Sequence, residues 1–238
     1  MIPEIFTRSA LLLTEDGIAK LSGCRVAVFG IGGVGGAAAE ALARAGVGAL
    51  DLIDSDTVSM TNINRQIIAL HSTVGRYKTE VMAERIRDIN PDAVVREYRM
   101  FYLPETADQI PMEEYDYIVD AIDTVTAKLE LIERAHRAGV PVISCMGTGN
   151  RLDPTMLQVI DLSKTSGCPL ARVMRRELRK RGIEHLPVVC SREEAIACVP
   201  SGETKGSAGH PVPGSVSFVP PVAGMIAAGV VIRTLCGR

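Results

Sequence analysis

The run Val26-Ala-Val-Phe29 passes at once into Gly30-Ile-Gly32-Gly33-Val-Gly35-Gly36 and then into an alanine-rich stretch ending near Ala45. Few folds accommodate that order. An apolar run closed by glycines that open a helix reads as strand, turn and helix of a βαβ unit, with residues 49–53 as its second strand. Gly46 to Gly48 ends the helix, and apolar side chains all round it fit a helix packed closely on a sheet. The alternation continues. Residues 78–90 place Val81, Met82, Ile86 and Ile89 on one helical face, and Pro91 stops that helix. Strands follow at 93–98, 117–120 and 141–145, with a helix over 125–138 between the last two.

Such alternation predicts an α/β chain, a Rossmann-like, mostly parallel sheet with helices on both faces. At 238 residues and 47% hydrophobic content it is long enough for one large domain burying roughly 70–75% of its unfolded surface. Residues 1–165 are expected to form the nucleotide-binding core and 166–238 a C-terminal extension on the substrate side. In that part of the chain, a strand at 156–160 leads to a basic helix at 170–181 and a short strand at 188–190. The Gly-, Pro- and Ser-rich residues 200–215 are expected to form a mobile loop over a site. Residues 222–235 are apolar on every side and read as a buried helix, too short for a membrane span. Residues 104–116, with five acids and no base, read as a solvated connection.

Composition removes several function classes. A formal charge of −2, from 28 acids and 26 bases, excludes a globally basic coat for nucleic acid. With 4% aromatic residues and no tryptophan, stacking platforms for single strands are hard to build. The first thirteen residues lack the apolar run of an export signal, which points to the cytoplasm. The six cysteines therefore read as reduced thiols, and without a C-x-x-C pair a four-cysteine zinc site is not expected.

The glycine loop lies where backbone amides and a helix dipole can approach phosphate, and Asp54 stands where an acid can accept from ribose hydroxyls. A dehydrogenase would show as much, and glycines needed only for close packing would show the first part. The polar segment that follows distinguishes ATP from a nicotinamide cofactor: Asp54-x-Asp56, Asn62-Ile-Asn64-Arg65-Gln66, then Lys78. Hydride transfer has no need of this crowd, whereas the departure of pyrophosphate calls for cations and amide donors set in advance. Asp123, just past the strand holding Asp120, lies at the sheet edge where open α/β folds bind ligands, and its hard oxygens suit Mg2+.

Together, Gly30-x-Gly32-Gly33-x-Gly35, Asp54-x-Asp56, Asn62-x-x-Arg65-Gln66, Lys78 and Asp120-Ala-Ile-Asp123 resemble the ubiquitin-activating and sulfur-carrier-adenylating (ThiF-like) superfamily. The resemblance implies ATP and Mg2+ as cofactors, a carboxylate activated as an acyl-adenylate, and a homodimer. It gives Asp54 to ribose, Asn62, Arg65 and Lys78 to phosphates, and Asp123 to the metal. It also suggests that Arg8 reaches the partner subunit's nucleotide. Catalytic roles are thus expected for Arg65, Lys78, Asp123 and Arg8. The zinc knuckles of sulfur-carrier activators are missing. Residues 85–91, Leu152-Asp-Pro-Thr155 and Asp161-Leu-Ser-Lys-Thr165 look instead like the tRNA threonylcarbamoyladenosine dehydratase branch, which cyclises a modified adenosine. Activation of a small sulfur-carrier protein's C-terminal glycine is the competing expectation, and a sulfur-relay protein could assist.

Ring closure within one side chain needs no enzyme nucleophile, because a tethered reactant has a high effective concentration. If a thiol takes part, Cys168 at a helix start is the first candidate and Cys190 and Cys198 follow. Arg172, Arg175, Arg176, Arg179, Lys180 and Arg181 face a single Glu177 along the basic helix, a pattern that fits tRNA phosphates or simply a solvated face.

Overall fold

The computed structural model describes residues 2–199, 204, 205 and 210–238. In chain order the main elements are α1 (Thr7–Gly23), β1 (Arg25–Phe29), α2 (Gly33–Ala45), β2 (Ala49–Ile53), α3 (Lys78–Ile89), β3 (Val94–Tyr98), β4 (Tyr117–Asp120) and α4 (Val125–Ala138). They continue with β5 (Val142–Cys145), β6 (Leu157–Asp161), α5 (Pro169–Arg179), β7 (Pro187–Ser191) and α6 (Val219–Cys236). A two-residue ribbon, β8 (Thr204–Lys205) with β9 (His210–Pro211), lies apart from the main sheet. The expected mobile loop at 200–215 falls in part outside the described residues.

Seven strands form one sheet in the order β3-β2-β1-β4-β5-β7-β6, parallel throughout except for β6, which runs antiparallel to β7. Successive side chains of a strand face opposite sides, and β1 shows the consequence. Val26 and Val28 join a core with α2, α3 and α6, while Ala27 and Phe29 join a second core with α4 and α5. Both faces are therefore covered, as parallel sheets require.

Residues 166–238, expected as an extension, also complete the main sheet and its cover: β7 separates β5 from β6, and α6 lies on α2 and α1. By length and composition α6 could cross a membrane, but one side of it is buried through Ala223, Gly224, Ala227, Ala228 and Val231. Contact is close enough that a Cβ on Gly224 would lie 2.1 Å from the Val34 carbonyl oxygen. Its prolines stand in the first turn, where no intrahelical N–H is lost.

One expectation needs correcting. Residues 104–116 are not simply solvated: Ala107, Ile110, Met112 and Tyr115 enter the second core, and the Tyr115 hydroxyl donates to buried Asp51 at 3.0 Å. Their acids sit between core positions that a count of charge overlooks. α1 contains a break at Thr14 (φ 67°, ψ 161°), where the Thr14 hydroxyl accepts from Gly17 N–H at 3.2 Å and caps the second half.

Candidate active site

Strand order reverses direction between β1 and β4, and the loops leaving their carboxyl ends diverge to open a crevice. A cavity of about 500 Å³ occupies it, lined by Gly30, Gly32 and Gly33 after β1, Asp54 to Asp56 after β2 and Ala121 to Thr124 after β4. Asn62, Arg65, Gln66 and Lys78 form the facing wall. The sequence motifs are thus brought to one place by topology.

Local geometry explains the glycines. Gly30 has φ +85°, and a Cβ there would meet the Ala121 carbonyl oxygen at 2.7 Å. A Cβ on Gly35 would meet the Gly30 carbonyl oxygen at 1.8 Å. Gly35 is not among the lining residues; it lets α2 start hard against the turn. The N-terminus of α2, beginning at Gly33, then borders the cavity, and Gly32 and Gly33 put no side chain of their own before its free amides.

Asp54 holds the loop as well as facing the crevice. Its two oxygens accept from the Ile31 and Asp56 backbone N–H groups at 2.6 and 2.8 Å. Burial pushes its carboxyl up, against the pull of the Lys78 ammonium and those two amides. Lys78 is buried, donates to Asp56 at 2.7 Å and lies 4.0 Å from Asp54. The Arg65 guanidinium is fixed by the Thr61 carbonyl and the Asn64 side chain, each at 2.8 Å. Asn62 spends its Oδ1 on the Ser59 N–H at 3.1 Å, which orders the turn that carries Arg65. Gln66 Oε1 is buried without a hydrogen-bond partner among the described residues. An orphaned acceptor beside two cations and bare helix amides is what a cradle for a hydroxyl-bearing polyphosphate requires.

Asp123 is exposed at the opposite wall and accepts from the Thr124 hydroxyl at 3.4 Å. No group of three or more potential metal ligands occurs among the described residues. A single carboxylate in the cavity wall, together with the phosphates of a bound nucleotide, would suit Mg2+, which usually takes few protein ligands. Asp120, which the sequence left facing the sheet or a turn, is wholly buried. It accepts from Lys128 Nζ at 2.8 Å and Ser144 Oγ at 2.6 Å, and its other oxygen accepts from Ile122 N–H at 3.2 Å. That network holds the turn presenting Asp123.

The ThiF family model matches residues 6–238. The chain belongs to the ThiF family. Among its ThiF-family relatives, the tRNA threonylcarbamoyladenosine dehydratase of Bacillus subtilis is 43% identical over 97% of this chain and 94% of its own. That of Escherichia coli is 46% identical over 73% of this chain and 65% of its own. The crystal structure of the E. coli tRNA N6-threonylcarbamoyladenosine dehydratase in complex with ATP superposes with a TM-score of 0.88 at 37% identity, covering 98% of this chain and 94% of that one. An AMP complex of the same enzyme gives 0.89 at 36%, covering 100% and 97%.

Several cavity residues of this ThiF-family chain escaped the sequence reading: Met100 to Tyr102 after β3, Cys145 to Gly149 after β5, and Pro220 at the start of α6. The carboxyl-end rule could have found the first two groups. No local signal marks Pro220, which arrives by packing α6 on α2 and whose Cβ lies 3.0 Å from a Cβ built on Gly33.

The remaining expected residues lie away from the cavity. Arg8 is exposed on the first half of α1 and does not line it. On α5, Arg175 turns inward and donates to the Thr165 carbonyl and hydroxyl, both at 2.7 Å, so it anchors the preceding loop. Arg176 and Lys180 pair with Glu177, and Arg181 pairs with Glu133 at 3.1 Å. Arg179 lies 3.8 Å from Glu184, while Arg172 has no ion pair among the described residues.

Proposed function

We propose that this chain uses ATP to dehydrate N6-threonylcarbamoyladenosine in tRNA. The cradle of Arg65, Lys78, the α2 amides and orphaned Gln66 Oε1, facing Asp123 across one cavity, carries the proposal. The kinship with dehydratases over nearly the whole chain supports the choice of substrate.

In this mechanism the threonyl carboxylate oxygen attacks the α-phosphorus of ATP, the bond to the bridging oxygen breaks, and pyrophosphate leaves. Arg65, Lys78 and the α2 amides stabilise charge building on the phosphates, because they are fixed before the reaction begins. Asp54 would accept from the ribose hydroxyls. Mg2+, held by Asp123 and the phosphates, would supply further charge neutralisation. A carbamoyl oxygen or nitrogen of the same side chain then attacks the acyl carbon, AMP departs, and a proton is released. Closure is intramolecular, so the protein has only to hold the chain in position and exclude water.

The site opens towards α5, whose Leu170 lines the cavity and whose Arg172, Arg176, Arg179 and Lys180 are exposed. These four residues are the proposed contacts to tRNA phosphates; Arg175 serves the fold. Arg172→Ala is expected to reduce the slope of log affinity against log salt by about 0.7–0.9. Arg175→Ala should leave that slope unchanged while lowering the melting temperature. A filter-binding titration at several salt concentrations separates the two.

Arg8 belongs to an arm that also exposes Leu11 (84%) and Leu12 (80%), more apolar surface than such a segment would leave to water if the chain stayed alone. A homodimer in the cytoplasm, with this arm crossing to the second copy, accounts for both features.

The test is incubation with ATP and threonylcarbamoyl-modified tRNA, followed by nucleoside mass spectrometry. Loss of one water from the nucleoside with stoichiometric AMP is expected, and both should disappear in Asp123→Ala. ATP turnover driven by a small carrier protein and not by tRNA would overturn the assignment.

A further inference from the structure

At the amino ends of the strands, on the opposite edge of the sheet from the first cavity, lies a second one of about 600 Å³, a size suited to a small ligand. Its wall comes from segments that lead into strands: Ser22 ahead of β1, Gly46 and Gly48 ahead of β2, and Asn90 and Asp92 ahead of β3. The proposed mechanism makes no use of it. Ile2, Phe6 and Ile18 supply an apolar floor, Phe6 and Ile18 as members of the first core and Ile2 packed against that core. Gly46, with φ +94°, seats the Phe6 ring, which a Cβ would meet at 3.3 Å, so the floor is fixed by close packing.

Every charged residue described on the wall is an acid: Glu15, Asp16 and Asp92. Asp16 pairs with Lys20 at 2.8 Å, whereas the Glu15 and Asp92 side chains have no ion pair or hydrogen bond among the described residues. Acids at a surface are ordinary. Asn90 is not. It is 4% exposed, its backbone N–H donates to the Ile86 carbonyl and its own carbonyl accepts from Ala93, yet its side-chain amide has no hydrogen-bond partner among the described residues. With its main-chain groups engaged, the amide is what this residue offers the cavity. An unpaired interior amide is costly, and a ligand that hydrogen-bonds to it removes that cost.

The three acids do not converge on one point, since no group of three possible metal ligands occurs among the described residues. Negative charge is instead spread along a wall above hydrocarbon, which suits cations spaced along an apolar chain better than one compact ion. We propose that this cavity binds an aliphatic polyamine. Its methylenes cover Ile2, Phe6 and Ile18, two of its ammonium groups meet Glu15 and Asp92, and an N–H donates to Asn90 Oδ1.

Calorimetric titration of the intact protein with spermidine tests this, with butylamine as the control for a single charge and MgCl2 as the control for charge without a chain. One spermidine per chain is expected, bound about tenfold or more tightly than butylamine and retained against an equal concentration of Mg2+. Glu15→Gln and Asp92→Asn should each weaken spermidine about two- to fivefold, and Asn90→Leu about tenfold. Asn90→Leu should not lower the melting temperature, because the amide it removes has no partner; a lower value would mean that the amide serves the fold and would overturn its role here. Ala19 is exposed on the wall, four residues after Glu15 in α1. Ala19→Lys therefore places an ammonium in the cavity where helix geometry lets it pair with Glu15, and it should abolish binding while the fold survives. Spermidine displaced equally well by Mg2+, or bound unchanged by Ala19→Lys, would overturn the proposal. The titration contains no nucleotide and no tRNA, so its outcome is independent of the proposed function.

Discussion

Lys128→Met is expected to cost about 3–5 kcal/mol of stability, because it strands the Asp120 carboxylate in the interior without its cation. Both side chains are 0% exposed, so water cannot take the place of Lys128. For a chain of this length each kcal/mol moves the melting temperature by about 2–4 °C, so a drop of roughly 10 °C or more should appear in calorimetry. Asp120→Asn combined with Lys128→Met should recover most of the loss. Asparagine keeps an oxygen for the Ile122 N–H and offers an amide to Ser144 Oγ, so the turn survives while the buried charge disappears. A single variant costing under about 1 kcal/mol would overturn this account of the pair.

Arg65→Ala should slow ATP-dependent AMP release about 10²–10³-fold with little change in melting temperature. Among the described residues its guanidinium is tied to the Thr61 carbonyl and to Asn64, both in its own turn, so the fold does not depend on it. The chemistry does. A donor already locked in place spends nothing on reorganising as pyrophosphate departs, and an alanine leaves that charge to water. Arg65→Lys should restore only part of the rate, since an ammonium cannot reproduce the planar fork held by two acceptors. Single-turnover AMP formation measures both variants, and an Arg65→Ala enzyme with unimpaired turnover would remove Arg65 from the phosphate site.

Sequence periodicity carried most of the fold because the physics there is local. An unbroken apolar run lets β1 feed both cores, and the Gly30 turn with its positive φ admits no bulkier side chain. The motif residues could be assigned to one site because a parallel α/β sheet brings the carboxyl ends of its central strands together. Illegible parts depended on contacts between distant segments. The basic run on α5 looked uniform until packing turned Arg175 towards Thr165 and set Glu133 against Arg181. The acidic stretch before β4 likewise hid Tyr115, whose partner Asp51 lies on another strand.

The close seat of α6 on α2 ties the age of the nascent polypeptide to its competence. Ribosomes deliver the phosphate loop before α6, so until α6 has emerged the amide-bearing helix lacks that cover and Pro220 is absent from the cleft. A premature stop or a proteolytic cut ahead of Val219 would spare every motif residue and still leave the ligand cleft unfinished.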